Sequence, residues 1–154
     1  VLSLMNIIVF VATFFLMEYV AWFTHKYIMH GLFWSLHEDH HKRQNKAHIF
    51  ERNDSFFLIF ATPSMLFIVL GSHYSILYLT SIGCGIAAYG LCYFFVHDIF
   101  IHQRIKIFTR TNNAYLRAIR KAHKIHHKSQ TKEHGQCFGM LLVPYKYFKA
   151  EWAK

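Results

Sequence analysis

Residues 36–48 read LHEDHHKRQNKAH and place His37, His40 and His41 at positions i, i+3 and i+4. On an α-helix those three lie within about 60° of one face, so their rings converge. Neutral imidazole is a common metal ligand, and three convergent rings make a chelating face. The string HKIHH repeats the pattern with His123, His126 and His127. Two further pairs, His25 with His30 in HKYIMH and His97 with His102 in HDIFIH, stand five residues apart. That is about 140° on a regular helix, a spacing suited to a helix that ends or bulges between the two rings.

Ten of the 13 histidines fall in these four groups. Structural zinc takes four ligands and catalytic zinc about three, so ten imidazoles point to two metals. Imidazole suits iron, copper, zinc and nickel alike, and spacing does not choose among them. Carboxylates near the groups are candidates to orient the rings through their second nitrogen: Glu38, Asp39, Asp98 and Glu133. Glu18 joins them, because it stands two helical turns before His25 on nearly the same stripe and is a charge in an apolar run. His48, His73 and His134 read as solvated side chains.

The elements that must carry these groups are apolar. The chain has 154 residues, 54% hydrophobic and 18% aromatic, and reads as a single domain over 1–154. Val1 to Phe23 holds one charge, while Phe56 to Leu70 and Tyr74 to Val96 hold none. A span needs about 20 apolar residues. The expectation is an all-α integral membrane protein of three to four transmembrane helices, with spans at about 1–24, 54–72 and 74–97. Pro63 kinks the middle span without forbidding it, and Asp54 or Ser55 is its expected N-cap. Gly83, Gly85, Ala87, Ala88 and Gly90 permit close helix packing. The first run lacks a basic leader and a small-residue cleavage site, so it is expected to stay in the mature chain.

Charge gives an independent view of topology. Five of the 17 Lys and Arg follow run one and the other 12 follow Val96, with none in the 71–74 turn. Three spans put all of them on one side, the cytosolic side of a bacterial inner membrane, together with all ten grouped histidines. The histidines thus form a cytosolic helical cap over 25–41 and 97–127. Asn112 or Asn113 caps its last helix, and the tail 136–154, too short to span, lies at the interface. Nucleic-acid binding is disfavoured, since the basic residues border a membrane and a metal cluster.

The order HxxxxH, HxxHH, HxxxxH, HxxHH, in the strings HKYIMHG, LHEDHH, HDIFIHQR and AHKIHH, resembles the β-carotene hydroxylases of the fatty acid hydroxylase superfamily over nearly the whole chain. The resemblance implies a non-haem di-iron membrane monooxygenase that uses O2 and two electrons to hydroxylate C3 of β-ionone rings, converting β-carotene through β-cryptoxanthin to zeaxanthin. It places the iron ligands on His25, His30, His37, His40, His41, His97, His102, His123, His126 and His127. Ile99 and Phe100 stand where the family pattern has smaller residues, and His134 is extra to it.

An apolar carotenoid must arrive from the bilayer, and Phe94, Phe95, Ile99 and Phe100 are candidates to contact it. No cofactor-binding motif is present, so electrons must come from an external donor of the ferredoxin type. The net charge of +9 would steer an acidic donor, although such charge also meets anionic lipid headgroups. Related histidine-box oxygenases or desaturases acting on fatty acyl, alkane or sterol substrates share this chemistry. A membrane metal transporter is the non-enzyme alternative, but it would carry its ligands near the midplane of its spans.

Overall fold

A computed structural model describes residues 3–42 and 50–153. Among the described residues every regular element is helical. Helix α1 (Leu4–Phe23) starts where the Ser3 hydroxyl accepts from Asn6 N–H, and it continues without a break into a π-helical turn, Thr24–Leu32. Gly31, at φ −120° and ψ −105°, breaks the helical path and releases α2 (Trp34–His41). A short 3-10 turn, Arg52–Asp54, leads into α3 (Ser55–His73). Helix α4 (Leu77–Phe94) follows and also runs on into a π turn, Phe95–Ile101. Helices α5 (Ala114–His126) and α6 (Tyr145–Trp152) complete the chain.

Among the described residues three helical stretches are long and apolar enough to cross a membrane: Leu4–Leu32, Arg52–His73 and Leu77–Ile101. Their outward faces carry exposed Leu4, Phe15, Leu58, Val69 and Leu91, as expected where the surrounding solvent is hydrocarbon. The three-span expectation thus matches the helices, but the first and third run several residues further than read from hydropathy. The two HxxxxH pairs therefore ride on, or at the end of, the long helices themselves and not on a separate cap beyond them. Polar histidines lower local hydropathy without breaking the backbone hydrogen-bond ladder. Asp54 stands at the N-cap position of α3, as expected, but its side chain does not cap that helix; the helical path starts one turn earlier, in the 3-10 turn that Glu51 caps. Glu51 and Asp54 form a reciprocal capping box around the 3-10 turn, and Asp54 Oδ2 accepts from Glu51 N–H at 3.0 Å.

Helix α4 lies between its two neighbours. Successive residues turn by about 100°, so Gly83 and Gly85 face opposite sides. A Cβ on Gly83 would stand 2.8 Å from Ser64 O and Ile68 N of α3, and one on Gly85 would stand 2.9 Å from Phe10 O of α1. The Ser64 hydroxyl donates to Gly83 O at 2.8 Å across the same contact. Gly90 has open space beside it and takes no part in this packing. Gly83→Leu is accordingly expected to cost about 1–3 kcal/mol by overpacking, read as a lower melting temperature in detergent. Gly90→Leu should melt with the wild type. Equal melting of both variants would refute this account.

The C-terminal part is packed, not merely interfacial. Helix α5 starts at Asn113, whose side chain accepts from Leu116 N–H at 3.1 Å. Its apolar side buries Ile119 against Phe100, Ile101 and Met140, while Ala118 and Ala122 seat Tyr147 of α6. Glu151 of α6 binds Arg117 at 3.1 Å and Lys121 at 3.3 Å. The tail is also tied to the spans, through Glu18. Its carboxylate accepts from the Tyr89 hydroxyl at 2.7 Å and from the backbone N–H groups of Met140, Leu141 and Leu142 at 2.9–3.1 Å.

Candidate metal centre

The π turns explain the five-residue spacing. In a π-helix the bond runs from i+5 to i, so residues five apart stack on one face. His102 N–H donates to His97 O at 2.8 Å, and Phe33 N–H donates to Ile28 O at 2.8 Å. His25 with His30, and His97 with His102, are thereby brought side by side, with ring centroids 5.2 Å and 4.5 Å apart.

The ten grouped histidines converge into two adjoining sets. One holds His25, His30, His37, His41 and His126, and the other His40, His97, His102 and His123, with the ligating atoms of each set within 4.8 Å of one another. His127 joins the second set, its Nε2 lying 2.9 Å from Nε2 of His123. The two sets are built alike. Each takes one HxxxxH pair from a π turn, the i and i+4 rings of the HxxHH string that follows, and the i+3 ring of the other HxxHH string. Helices α2 and α5 therefore serve both sets, with His37 and His40 stacked at 5.4 Å and His41 and His127 at 4.4 Å.

The meeting atoms are Nε2 throughout. The contacts His25–His37, His37–His41, His30–His126, His40–His97, His102–His123 and His123–His127 are 2.9–3.2 Å between Nε2 atoms. Their Nδ1 atoms face outward. His25 donates to Phe138 O at 3.0 Å, His30 to Lys132 O at 3.3 Å, His41 to Ser129 O at 2.8 Å and His126 to Gln136 O at 2.8 Å. A carbonyl only accepts, so Nδ1 carries the proton and Nε2 keeps its lone pair. The same tautomer follows for His40, bound to Glu51 at 2.7 Å, and for His97, bound to Asp98 at 3.1 Å. His37 Nδ1 meets Asn53 Oδ1 at 2.7 Å, whereas His123 Nδ1 has no partner among the described residues.

Burial favours the neutral form of six of these rings. It drives His37 down to about 2, with the Asn53 hydrogen bond opposing, and His126 down to about 3, helped by repulsion from His41 and His30. His40, His41, His123 and His127 move in the same direction, burial again leading. Two sets of inward lone pairs on buried or half-buried rings fit metal ions. Two nitrogens each about 2.1 Å from a shared ion and at right angles around it stand about 3 Å apart, the spacing found here. Without ions, lone pairs so close would repel.

Of the acidic residues expected to orient the rings, Asp98 touches a histidine. Among the described residues Glu38 pairs with Lys42, Asp39 with Arg52, the Glu133 carbonyl accepts from Ser129 and Thr131, and Glu18 holds the tail; none meets a grouped histidine. Sequence reading missed Glu51 and Asn53, which stand 11 and 16 residues from the rings they bind, and Arg104, which pairs with Glu51 at 3.0 Å, Asp54 at 2.8 Å and Asp98 at 2.9 Å. The polar stretch FERND ahead of an apolar run was the available signal.

The four residues named as substrate contacts divide. Phe94 at the end of α4 and Phe95 at the start of the π turn are exposed, whereas Ile99 and Phe100 are buried and Phe100 lies under the Arg120 guanidinium at 3.8 Å. His73 meets Tyr74 edge to face at the far turn, and His134 is exposed on the loop whose Lys132 and Gln136 carbonyls border the first set. His48 lies outside the described residues.

A family model described as fatty acid hydroxylase matches residues 10–144. The β-carotene hydroxylase of Pantoea ananas is 43% identical over 128 residues, covering 83% of this chain and 71% of its own length. That of Pseudescherichia vulneris is 38% identical over 140 residues, covering 91% and 78%. The chloroplastic β-carotene hydroxylase 2 of Capsicum annuum is 35% identical over 131 residues, covering 83% and 41%. No solved structure matches the chain. Ten inward imidazoles at the end of apolar helices and a family model spanning nearly the whole sequence lead to one assignment: the chain belongs to the fatty acid hydroxylase family.

Proposed function

We propose that this chain hydroxylates C3 of the β-ionone rings of β-carotene, giving β-cryptoxanthin and zeaxanthin, with two non-haem irons held by the ten grouped histidines. The observation that carries the reading is the convergence of those rings into two compact sets at the end of membrane-length helices. The relatives named above support the substrate. An iron pair supplies the redox chemistry that activates O2 toward an unactivated C–H bond, which zinc does not.

The residues of the chain do the rest. The Nε2 lone pairs would hold the irons, and the outward hydrogen bonds of Nδ1 fix each ring's orientation. Glu18 draws residues 138–142 beneath the first set, and Phe138, with ring centroids 5.1–5.5 Å from His25, His30 and His126, closes that side with an apolar wall. Phe94 and Phe95 offer apolar surface along which a carotenoid can approach from the bilayer. The grouping of basic residues with the histidine boxes supports a cytosolic site on a bacterial inner membrane and an acidic, ferredoxin-type electron donor.

Expression in cells that accumulate β-carotene tests this directly. Hydroxylated pigments and two irons per purified chain are expected. Unchanged β-carotene in cells that contain the inserted, iron-loaded protein would refute the substrate assignment.

A further inference from the structure

The inner faces of the two histidine sets match ring for ring, and their outer faces do not. Every outward nitrogen of the first set meets a neutral oxygen: the carbonyls of Phe138, Lys132, Ser129 and Gln136, and the Asn53 carboxamide. In the second set His40 and His97 donate to carboxylates, Glu51 and Asp98. Arg104 clamps both and adds a third, Asp54. Among the described residues, with Arg104 counted against Glu51, Asp54 and Asp98, two net negative charges stand behind the second set and none among the direct partners of the first.

We infer that the two metal positions are unequal, and that the one framed by His40, His97, His102, His123 and His127 binds a divalent ion more tightly. This rests on the metal-pair reading above. A carboxylate that accepts from Nδ1–H makes the opposite nitrogen a stronger donor, and a neutral carbonyl does so less. The net charge also attracts the cation directly, through partly buried protein where screening is weaker than in water. Because the inner donors are matched five for five, the difference arises from the outer partners. Arg104 is then a positioning residue: it offsets part of the charge, yet holds Glu51 and Asp98 on their rings at once.

The test is Co2+ binding to the metal-free, detergent-solubilised full chain, followed by the visible absorption of the bound ion and by calorimetry. Two steps are expected, at least about tenfold apart. In Glu51→Gln the amide oxygen still accepts from His40, so geometry is kept while charge is lost. The tighter step should weaken by about 10–100-fold and the weaker one by less than about threefold. Asn53→Asp places a carboxylate behind the first set and should strengthen the weaker step. Two equal steps in the wild type, or a Glu51→Gln loss that falls on the weaker step, would overturn the inference. If Glu51→Gln does not fold, Asn53→Asp decides, and an unchanged weaker step overturns it. A folded chain that takes up no Co2+ refutes the metal-pair reading itself, whereas graded binding in a chain that leaves carotenoids unmodified refutes only the substrate.

Discussion

Cells that accumulate β-carotene and express the His40→Ala variant should contain no hydroxylated pigment, although the variant reaches the membrane in wild-type amounts. His40 is 3% exposed and sits between the two sets, its ring 4.7 Å from His97, 4.7 Å from His127 and 5.4 Å from His37. Its loss removes one inward nitrogen from the second set and leaves the Glu51 carboxylate without its imidazole. Outer partners of a metal ligand already change affinity about 10–100-fold, so loss of a ligand should exceed that. Purified His40→Ala is expected to retain about one iron per chain. Insertion should survive because no apolar span is touched. An active variant with full iron content would take His40 out of the centre.

The second large effect is on stability. Glu18→Ala strips the partner from the Tyr89 hydroxyl and from the N–H groups of Met140, Leu141 and Leu142. Each buried donor left unpaired costs about 1–3 kcal/mol, and bonds to a charged acceptor lie at the upper end. Allowing for non-additivity, a loss of at least about 3 kcal/mol is expected. For a chain of this size that lowers the melting temperature by about 6–12 °C. Tyr89→Phe removes one of the donors and its site together, and should cost about 1 kcal/mol. Thermal unfolding in detergent orders the three proteins as wild type, Tyr89→Phe, Glu18→Ala. Co-melting of Glu18→Ala with the wild type would show that the tail does not depend on this carboxylate.

The centre was legible in the sequence to an unusual degree because its donors are one residue type at helical spacings. The i, i+3, i+4 strings gave the converging faces, and the five-residue pairs required a helix that departs from the α form. What they did not give was how the rings are shared. Splitting each HxxHH string between two sets depends on how α2 and α5 cross, which local periodicity does not encode. The outer partners were least legible. Proximity in sequence points to carboxylates next to the histidines, but Glu51 and Asn53 reach His40 and His37 from the start of another helix.

Glu18 shows the same limit. A stripe drawn on a uniform α-helix aims it at His25, yet the helix changes to π form at Thr24 and the stripe no longer holds. Its carboxylate faces α4 and the tail instead. Span boundaries were short for a related reason, since hydropathy falls at the histidines where the helix does not end.

The outward bonds of the first histidine set also bear on biogenesis. Phe138, Lys132, Ser129 and Gln136 supply four of its five acceptors, and all lie late in the chain, as does His126 itself. The three long helices precede them and can enter the bilayer while the ribosome still holds this segment. That set is therefore completed only after the last of these residues has emerged, so a metal ion held there would be loaded late in maturation, after insertion of the spans.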